Sequence, residues 1–459
     1  MDTDDSGADA STPTTYAEVE RALLARWPET RLDPSLERIQ AFVELIGDPQ
    51  RSYRVVHLTG TNGKTSTSRM IDDLLRGAGL RTGRFTSPHL ESMTERISID
   101  GEPLSEDDWV SAWRDVAPYV DLVDRQGAHP MSFFEASVGM AYAAFADAPV
   151  DVAVVEVGMG GAWDATNVVD AEVAVITPIS VDHAHYLGES PGAIAEEKVG
   201  IIKPNSIVVV AHQDEEVMEV VARRARDVGA SMLVEGVHFG VVQSVPAVGG
   251  QMMNVRVDER GFDELFLPLY GGHQAQNAVL ALAAVHALVG DGALTGQVVE
   301  QAFAGVTSPG RLEVIRRGPT VLLDAAHNPH GAAATVAAIR DFFTFDPLVG
   351  VVGVMADKDV DGLLAELEPV LSEIVCTQNT TPRCLPAEEL AEIARDLFGE
   401  HRVRVAPGLD DAIELGIALA ETGGALGESI GSGGVLVTGS VITAGQARTL
   451  LRRRVPGDE

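Results

Sequence analysis

Short apolar runs alternate with helical patterns along almost all of the 459 residues, and this alternation constrains the fold most. The runs are rich in Val and nearly continuous, as in strands that are buried on both faces. They predict strands at 54–59, 151–157, 172–177, 206–211, 319–324, 348–354, 373–377, 402–405 and 434–438. Helices are predicted at 65–77, 191–202, 214–228, 274–289, 330–342, 360–371, 386–397, 409–421 and 442–453. Such alternation predicts an α/β fold with doubly wound parallel sheets.

Two domains are expected, because "AGVTSPGRLEV" at 304–314 places Ser-Pro-Gly after a helical pattern and the alternation then restarts. We predict an N-terminal domain over 16–306 and a smaller, Rossmann-like C-terminal domain over 307–459. An acidic N-terminal tail, 1–15, is predicted to be disordered. The stretch 236–270 has more glycine and short alternations, which indicates a hairpin-like insertion.

The net charge of −34 excludes several classes of partner. Such a surface repels nucleic acid and anionic lipid, and no apolar run is long enough to span a membrane. Two cysteines are too few for a disulfide framework, so we expect a reduced, cytoplasmic protein. The acidity is also compatible with adaptation to salt. Anionic substrates would need a locally positive pocket.

A phosphate-binding loop is predicted by "VVHLTGTNGKTSTSRMIDDLL", residues 55–75. An apolar run ends in the glycine-rich turn 60–65, and a helical pattern follows. The glycines allow backbone N–H groups to approach phosphate oxygens, Lys64 reaches the outer phosphates and Thr65 can ligate Mg²⁺. The alternative is an ordinary glycine-rich turn, since Leu58 stands where the full motif has its first glycine.

Polar residues follow further predicted strands, where doubly wound sheets bind their ligands. Ser87 lies in "FTSPHL", for which a plain Ser-Pro turn is the alternative. Glu156 ends an apolar run, and a carboxylate there is costly unless it pairs with a cation or binds a metal. Asp182 and His183 follow another run. Either His183 or His185 is a candidate ligand, and a structural histidine is the alternative.

Lysine is rare, and each lysine lies in a motif-like stretch. Lys198 falls in a helical pattern beside Glu196 and Glu197, so a surface ion pair is the alternative to a role in a site. The lysines of the chain are Lys64, Lys198, Lys203 and Lys358.

The C-terminal half repeats the pattern of polar strand ends. Asn277 lies near a helix start, where it suits a purine edge or a helix cap. Asp324 and His327 follow one strand in "DAAHNPHG", and Lys358 follows another in "GVMADKDVDG". Because such strand ends can face one cleft, together they indicate a site better than any one of them alone.

Together these residues closely resemble the folylpolyglutamate synthase/dihydrofolate synthase family of Mur-ligase-like, ATP-dependent amide ligases. The resemblance runs over nearly the whole chain, and "GTNGKT" alone would indicate only the wider Mur-like group. The signatures are "GTNGKTS", "TSPHL", "VEVGMGGAWDATN", "VDHAHYLG", "EEKVGIIKP", "HQAQNA", "PGRLE" and "DAAHNPHG".

The resemblance implies cofactors and residue roles. The cofactors are ATP and Mg²⁺. ATP contacts are implied for Gly60, Thr61, Asn62, Gly63, Lys64, Thr65, Asn277, Arg311 and Asp324. Mg²⁺ contacts are implied for Thr65, Ser87, Glu156 and His183, and a pterin-side pocket for Phe133, Phe134 and Glu135. Catalytic roles are implied for Lys64, Lys198 and His327, with Lys198 carbamylated by CO₂.

The implied reaction joins L-glutamate to a folate, and also to dihydropteroate, through an acyl phosphate. We expect a monomer whose partners are these small molecules. One rival is a Mur-type ligase for UDP-sugar peptides, but only about 50 residues precede the phosphate loop, too few for a UDP-binding domain. A second rival is a non-catalytic nucleotide-binding regulator, which would not need carboxylate, imidazole and lysine groups around one metal.

Overall fold

The computed structural model describes residues 13–28, 34–182, 184–422 and 433–453. Most of the predicted disordered tail lies outside this part of the chain, and so does His183. No helix in the described part is both long and apolar enough to cross a lipid bilayer.

The first sheet has eight strands and carries the phosphate loop at its centre. Its strands are β1 Arg54–Thr59, β2 Thr82–Phe85, β3 Ile97–Ile99, β4 Glu102–Pro103, β5 Val152–Glu156, β6 Val173–Ile176, β7 Ile207–Val210 and β8 Ser231–Val234. Their order is β4-β3-β2-β5-β1-β6-β7-β8. The pairs from β2 to β8 are parallel, while β3 and β4 add an antiparallel edge.

Helices cover both faces of this sheet because successive side chains of the buried strands point to opposite sides. Along β1, Val55 joins one core and Val56 the other. The helices are α1 Tyr16–Leu24, α2 Glu37–Leu45, α3 Lys64–Gly77, α4 Glu106–Gln126, α5 Phe133–Asp147, α6 Ala184–Leu187, α7 Pro191–Lys198, α8 Glu215–Val228, α9 Gly272–Val289 and α10 Gly296–Ala304. The core with Val55 contains α1, α2, α4 and α5, and the core with Val56 contains α3, α9 and α10.

The predicted insertion forms a three-stranded antiparallel sheet of β9 Phe239–Ala247, β10 Gly250–Val257 and β11 Arg260–Leu267. Its buried residues, among them Phe239 and Leu265, share the core of α3 and α9. The sheet therefore covers α9, whose first turn reaches the phosphate loop.

The C-terminal part of the chain forms a six-stranded sheet with helices on both faces. Its strands are β12 Glu313–Arg317, β13 Thr320–Leu323, β14 Leu348–Val352, β15 Glu373–Cys376, β16 Val403–Val405 and β17 Gly434–Thr438, in the order β12-β13-β17-β14-β15-β16. Its helices are α11 Pro329–Phe342, α12 Val360–Leu367, α13 Ala387–Phe398, α14 Leu409–Thr422 and α15 Val441–Arg453. Apart from β12, all of its strands are parallel.

The predicted fold class, two doubly wound α/β units of unequal size, is confirmed. Each strand predicted from the sequence is present, with ends within two residues of the predicted ones. The helix predicted over 360–371 ends at Leu367. Pro369 explains the early end, because proline has no N–H to donate and its ring clashes with the carbonyl group four residues earlier in a helix.

Candidate active site

The site begins where β1 ends, between β5 and β6. Register pairs Leu58 with Glu156 on one side and Thr59 with Ile176 on the other. The glycine-rich turn then leads into the 14-residue helix α3 at Lys64. A Cβ on Gly60 would lie 1.9 Å from Oγ1 of Thr177, so only glycine fits there. The helix N-terminus and the loop backbone make this a favourable position for an anion.

Lys64 extends back over its own loop. Its Nζ donates to the carbonyl oxygens of Gly60 at 3.0 Å and Thr61 at 3.2 Å. Burial lowers the pKa of Lys64, and the carboxylates of Glu156 and Asp182 oppose that effect. The ammonium is thus close to where phosphates would lie.

Glu156 ends β5 and is 1 % exposed. Its carboxylate accepts hydrogen bonds from Thr65 Oγ1, at 2.9 Å, and from Thr86 Oγ1. Ser87 Oγ is buried and has no hydrogen-bond partner among the described residues. A buried polar atom of this kind needs a partner. Hydroxyl and carboxylate oxygens are the ligands that Mg²⁺ prefers, so these residues fit that ion.

In the part of the chain that the structure describes, no group of three or more His, Cys, Asp or Glu side chains is placed to hold a metal ion. His183, the imidazole predicted for it, lies outside the described residues. Its neighbour Asp182 forms an ion pair with Lys358, with Nζ 2.6 Å from Oδ1. His327 Nε2 and Asn328 Nδ2 each lie 3.3 Å from Asp182 Oδ2. Asp182 therefore connects the two α/β units beside the phosphate loop.

Lys198, the last residue of α7, is 5 % exposed and donates from Nζ to the carbonyl oxygen of Gly60 at 3.0 Å. Burial, with the nearby cation of Lys64 as the second cause, lowers the pKa of Lys198 to about 7. The surface ion pair considered as an alternative is absent from the described contacts of this side chain. Glu196 pairs with Arg223, and Glu197 accepts from the Trp163 N–H.

The second α/β unit supplies the other wall. Asp324 follows β13 and accepts from the N–H of Leu312 at 2.8 Å and from Thr335 Oγ1 at 2.8 Å. The half-buried Arg311 lies beside Leu312. From α9, the buried Asn277 donates to Gln274 Oε1 at 3.2 Å.

The candidate site residues meet around a cavity of about 340 Å³, here called the smaller cavity. Its lining includes every residue for which an ATP contact is predicted, namely Gly60, Thr61, Asn62, Gly63, Lys64, Thr65, Asn277, Arg311 and Asp324. Ser87, Glu156, Lys198 and His327 line it too. The structure thus brings together residues as far apart in the chain as Gly60 and His327.

A larger cavity of about 650 Å³ adjoins it and is lined by Phe133, Phe134 and Glu135, together with Trp27 and Trp163. Arg96 lies 4.5 Å above the centre of the Phe133 ring. Glu135 pairs with Arg38 Nε at 2.9 Å and accepts from the Ser132 N–H at the start of α5, so it fixes the cavity wall. Both cavities are lined by Ser87, Pro88, Gly158, Met159, His327 and Val441.

Several groups at this site are not predicted from the sequence. The sequence places Asp182 and Lys358 at strand ends without a role, and it gives no indication of Thr86 or Asn328. The signal for Lys358 was its residue type, because three of the few lysines, Lys64, Lys198 and Lys358, converge here.

Models of two protein families match the chain. The Mur ligase middle domain matches residues 129–285, and the Mur ligase glutamate ligase domain matches residues 310–441. A protein of Mycobacterium tuberculosis named dihydrofolate synthase/folylpolyglutamate synthase is 51% identical over 95% of this chain and 94% of its own length. The chain belongs to the folylpolyglutamate synthase/dihydrofolate synthase family.

Solved structures of this family share the fold over nearly the full length. The M. tuberculosis folylpolyglutamate synthase complexed with ADP and AMPPCP superposes with a TM-score of 0.91 at 50% identity, over 96% of this chain and 99% of that one. The E. coli protein FolC in complex with DHPP and ADP gives a TM-score of 0.83 at 27% identity, over 96% and 99%. Family membership therefore covers both α/β units and not the phosphate loop alone.

Proposed function

We propose that this protein is an ATP-dependent ligase that adds L-glutamate to a folate and to dihydropteroate. The observation that carries the proposal is the wall shared by the two cavities, formed around Ser87, Gly158 and His327. A phosphate-binding cavity and an aromatic cavity that meet at one point allow a terminal phosphate to meet a substrate carboxylate. The M. tuberculosis relative carries both enzyme names, which supports both substrates.

The smaller cavity is the proposed ATP site. The N-terminus of α3 and Lys64 supply positive charge to the phosphates, and a transferring phosphoryl group is stabilised chiefly by such charges. Arg311 and Asp324 would bind the nucleoside end. A neighbour solved with ADP and AMPPCP supports this assignment.

The larger cavity is the proposed site of the pterin-containing acid. Trp27, Phe133 and Trp163 offer the flat apolar surfaces that an aromatic ring requires. The carboxylate of that acid would extend to the shared wall beside His327. The E. coli neighbour that was solved with DHPP and ADP supports this assignment.

Two group transfers complete the reaction. A carboxylate oxygen of the acid attacks the γ-phosphorus, the bond to the β-phosphate oxygen breaks, and ADP leaves. The glutamate amine then attacks the acyl carbon, loses a proton, and inorganic phosphate departs with the C–O bond electrons. A bare carboxylate is a poor electrophile, which is why ATP is required. The protein contributes position and charge, and Asp182 contacts both His327 of the shared wall and Lys358 of the larger cavity.

Mg²⁺ would be held by Thr65, Ser87, Glu156 and His183. The unpartnered, buried Ser87 Oγ supports this assignment, because its lone pairs have no other use in the described structure. When bound, Mg²⁺ neutralises phosphate charge and favours in-line transfer.

Lys198 is proposed to carry a carbamate. Its pKa of about 7 leaves much of the side chain as a free amine near neutral pH. That nitrogen attacks the carbon of CO₂ and loses one proton, so a cation is replaced by an anionic oxygen group. An oxygen anion next to the phosphate loop can bind Mg²⁺, whereas an ammonium repels it.

We further propose that the domain boundary lies at residue 306, between the end of α10 and the start of β12. Monomeric state and a cytoplasmic location stay predictions. Sedimentation velocity at micromolar concentration tests the first.

The deciding experiment measures ADP release with Mg²⁺, supplying L-glutamate with either dihydropteroate or a reduced folate. We expect release only when both the acid and glutamate are present, with a product heavier by one glutamyl residue in mass spectrometry. Lys64→Ala should lose this release, because it lacks the cation of the phosphate loop. Lys203→Ala is its matched control, because Lys203 Nζ binds Asn167 O away from the cavities. Release without a ligated product, or no release with either acid, would refute the proposed ligase.

A further inference from the structure

A short segment leads from the metal-binding residues to the C-terminal α/β unit. We call residues 86–92 the bridging segment. At its start Thr86 donates to Glu156, and Ser87 lines both cavities. At its end Glu91 accepts a hydrogen bond from Thr449 Oγ1 at 2.9 Å and forms an ion pair with Arg448. Both partners lie on α15, so a few residues connect the proposed Mg²⁺ site with the second unit.

Arg448 contacts a second carboxylate at the same time. Its Nε lies 2.9 Å from Oε2 and 3.1 Å from Oε1 of Glu313, while its Nη1 pairs with Glu91. Glu313 also accepts from the Gly310 N–H at 2.8 Å. Gly310 directly precedes Arg311, the proposed nucleotide contact. The side chain of Arg448 is 9 % exposed, so it bridges the two carboxylates away from bulk water.

Hydrogen bonds and a close backbone contact hold the bridging segment at this end. One carboxylate, that of Glu95, accepts the N–H groups of Leu90, Glu91 and Ser92 at 2.9–3.0 Å. The backbone of Leu90 lies directly on α15, where a Cβ added to Gly445 would be 1.9 Å from Leu90 O. A change in the seating of α15 must therefore move the bridging segment.

We propose that Arg448 is a positioning residue, which joins the segment that carries Ser87 to the segment that carries Arg311. The position of the second α/β unit against the first then fixes the proposed Mg²⁺ ligand Ser87 and the proposed nucleotide contact Arg311 together. Arg448 itself lines neither cavity. This inference rests on the proposed ligase function.

Three variants of the full-length protein test it. Arg448→Gln and Glu91→Gln each remove the ion pair, and Gly445→Ala adds a methyl group against Leu90 O. Since alanine favours a helix more than glycine does, Gly445→Ala leaves α15 intact while it disturbs the seating. We expect each variant to lower kcat by about 10-fold or more and to raise the Mg²⁺ concentration for half-maximal rate, because small misplacements of reacting groups are costly.

A double variant tests whether the two residues act as one. Glu91→Gln combined with Arg448→Gln should lose little more activity than Arg448→Gln alone, because residues that share an interaction are not additive. Glu172→Gln is the matched control. It makes the same change in an Arg–Glu pair, with Arg54, inside the first unit, and should keep the wild-type Mg²⁺ dependence. Circular dichroism melting curves show whether each variant is folded.

Failure of this inference is distinct from failure of the proposed function. If the wild-type protein ligates glutamate but Glu91→Gln has the wild-type kcat and Mg²⁺ dependence, the positioning role of Arg448 is refuted. Additive losses in the double variant, or losses equal to those in Glu172→Gln, also overturn the proposal. A wild-type protein without ligase activity instead overturns the function itself.

Discussion

Lys358 and Asp182 form an ion pair between the two α/β units, with Nζ 2.6 Å from Oδ1 and both side chains only 9 % exposed. Asp182 follows β6 in the first unit, and Lys358 follows β14 in the second. The pair lies where the smaller and larger cavities meet, since Asp182 lines one and Lys358 the other. Separation of the two units would therefore break this pair and expose both charges.

Replacing Lys358 by methionine should weaken the contact between the units. Loss of one partner leaves a buried carboxylate without its cation, which costs roughly 3 kcal/mol in other proteins. We expect a lower free energy of unfolding in urea and a loss of ligase turnover. Arg223→Met is the control, because its pair with Glu196 is 51 % and 56 % exposed, lines neither cavity, and is worth less than about 1 kcal/mol. Equal effects of the two substitutions would show that the buried pair has no special weight.

Lys64→Ala should reduce turnover by about 100-fold or more at saturating ATP, because removal of one group that stabilises transition-state charge costs that much elsewhere. Steady-state ADP release measures it, and Lys203→Ala is the matched control. Wild-type turnover in Lys64→Ala would contradict the assignment of the phosphate loop.

Lys198→Ala should be nearly inactive. Formate or acetate should restore part of the rate if the missing carbamate is an oxygen anion beside the metal. The same acids should not activate Lys64→Ala, which lacks a cation instead. The assay compares rates with and without 50–200 mM acid, a range on the order of weak anion binding. A crystal structure with nucleotide that shows Mg²⁺ bound beside an unmodified Lys198 amine would contradict the carbamate.

Acid should destabilise the protein through His57. This histidine is buried in β1, its Nε2 lies 2.9 Å from Thr166 Oγ1, and burial lowers its pKa to about 3. Below pH 6.5 His57 is protonated in the unfolded chain, whereas in the folded chain it stays neutral down to about pH 3. Stability is therefore lost as pH falls from 6.5 towards 3, and this one site contributes about 2 kcal/mol between pH 7.5 and 5.

Urea unfolding at those two pH values measures the loss, and His57→Gln should show a smaller pH dependence than wild type. His401→Gln, at an exposed position, should keep the wild-type dependence. If both variants behave alike, the acid sensitivity arises elsewhere.

Much of the fold could be predicted because the central parallel strands are continuous apolar runs. β1 and β17 begin and end at the predicted residues. The strands that escaped prediction are short or polar. β3 consists of Ile97, Ser98 and Ile99, and β4 of Glu102 and Pro103, both exposed. α4 was missed although it runs from Glu106 to Gln126, because Pro118 interrupts its pattern.

At the site, residue types at strand ends were enough to find Glu156 and Asp324. The partners of those residues could not be predicted, because they come from other parts of the chain. No local pattern indicates that Asp182 pairs with Lys358, 176 residues later, or that Arg448 reaches Glu91. Spacing in the sequence predicts which edge of a sheet a residue occupies, but contacts between the units depend on how the two sheets are seated.

The carbonyl oxygen of Gly60 accepts from the amines of both Lys64 and Lys198, each at 3.0 Å. Two positive groups at one acceptor repel each other, and an arriving triphosphate relieves that repulsion and favours proton uptake by Lys198. The proposed attachment of CO₂ to Lys198 would have the opposite effect and release a proton. The heat of nucleotide binding should thus change with the ionisation enthalpy of the buffer, and the apparent affinity for ATP should depend on dissolved bicarbonate. Calorimetric titrations on this protein therefore need a fixed gas phase as much as a fixed pH.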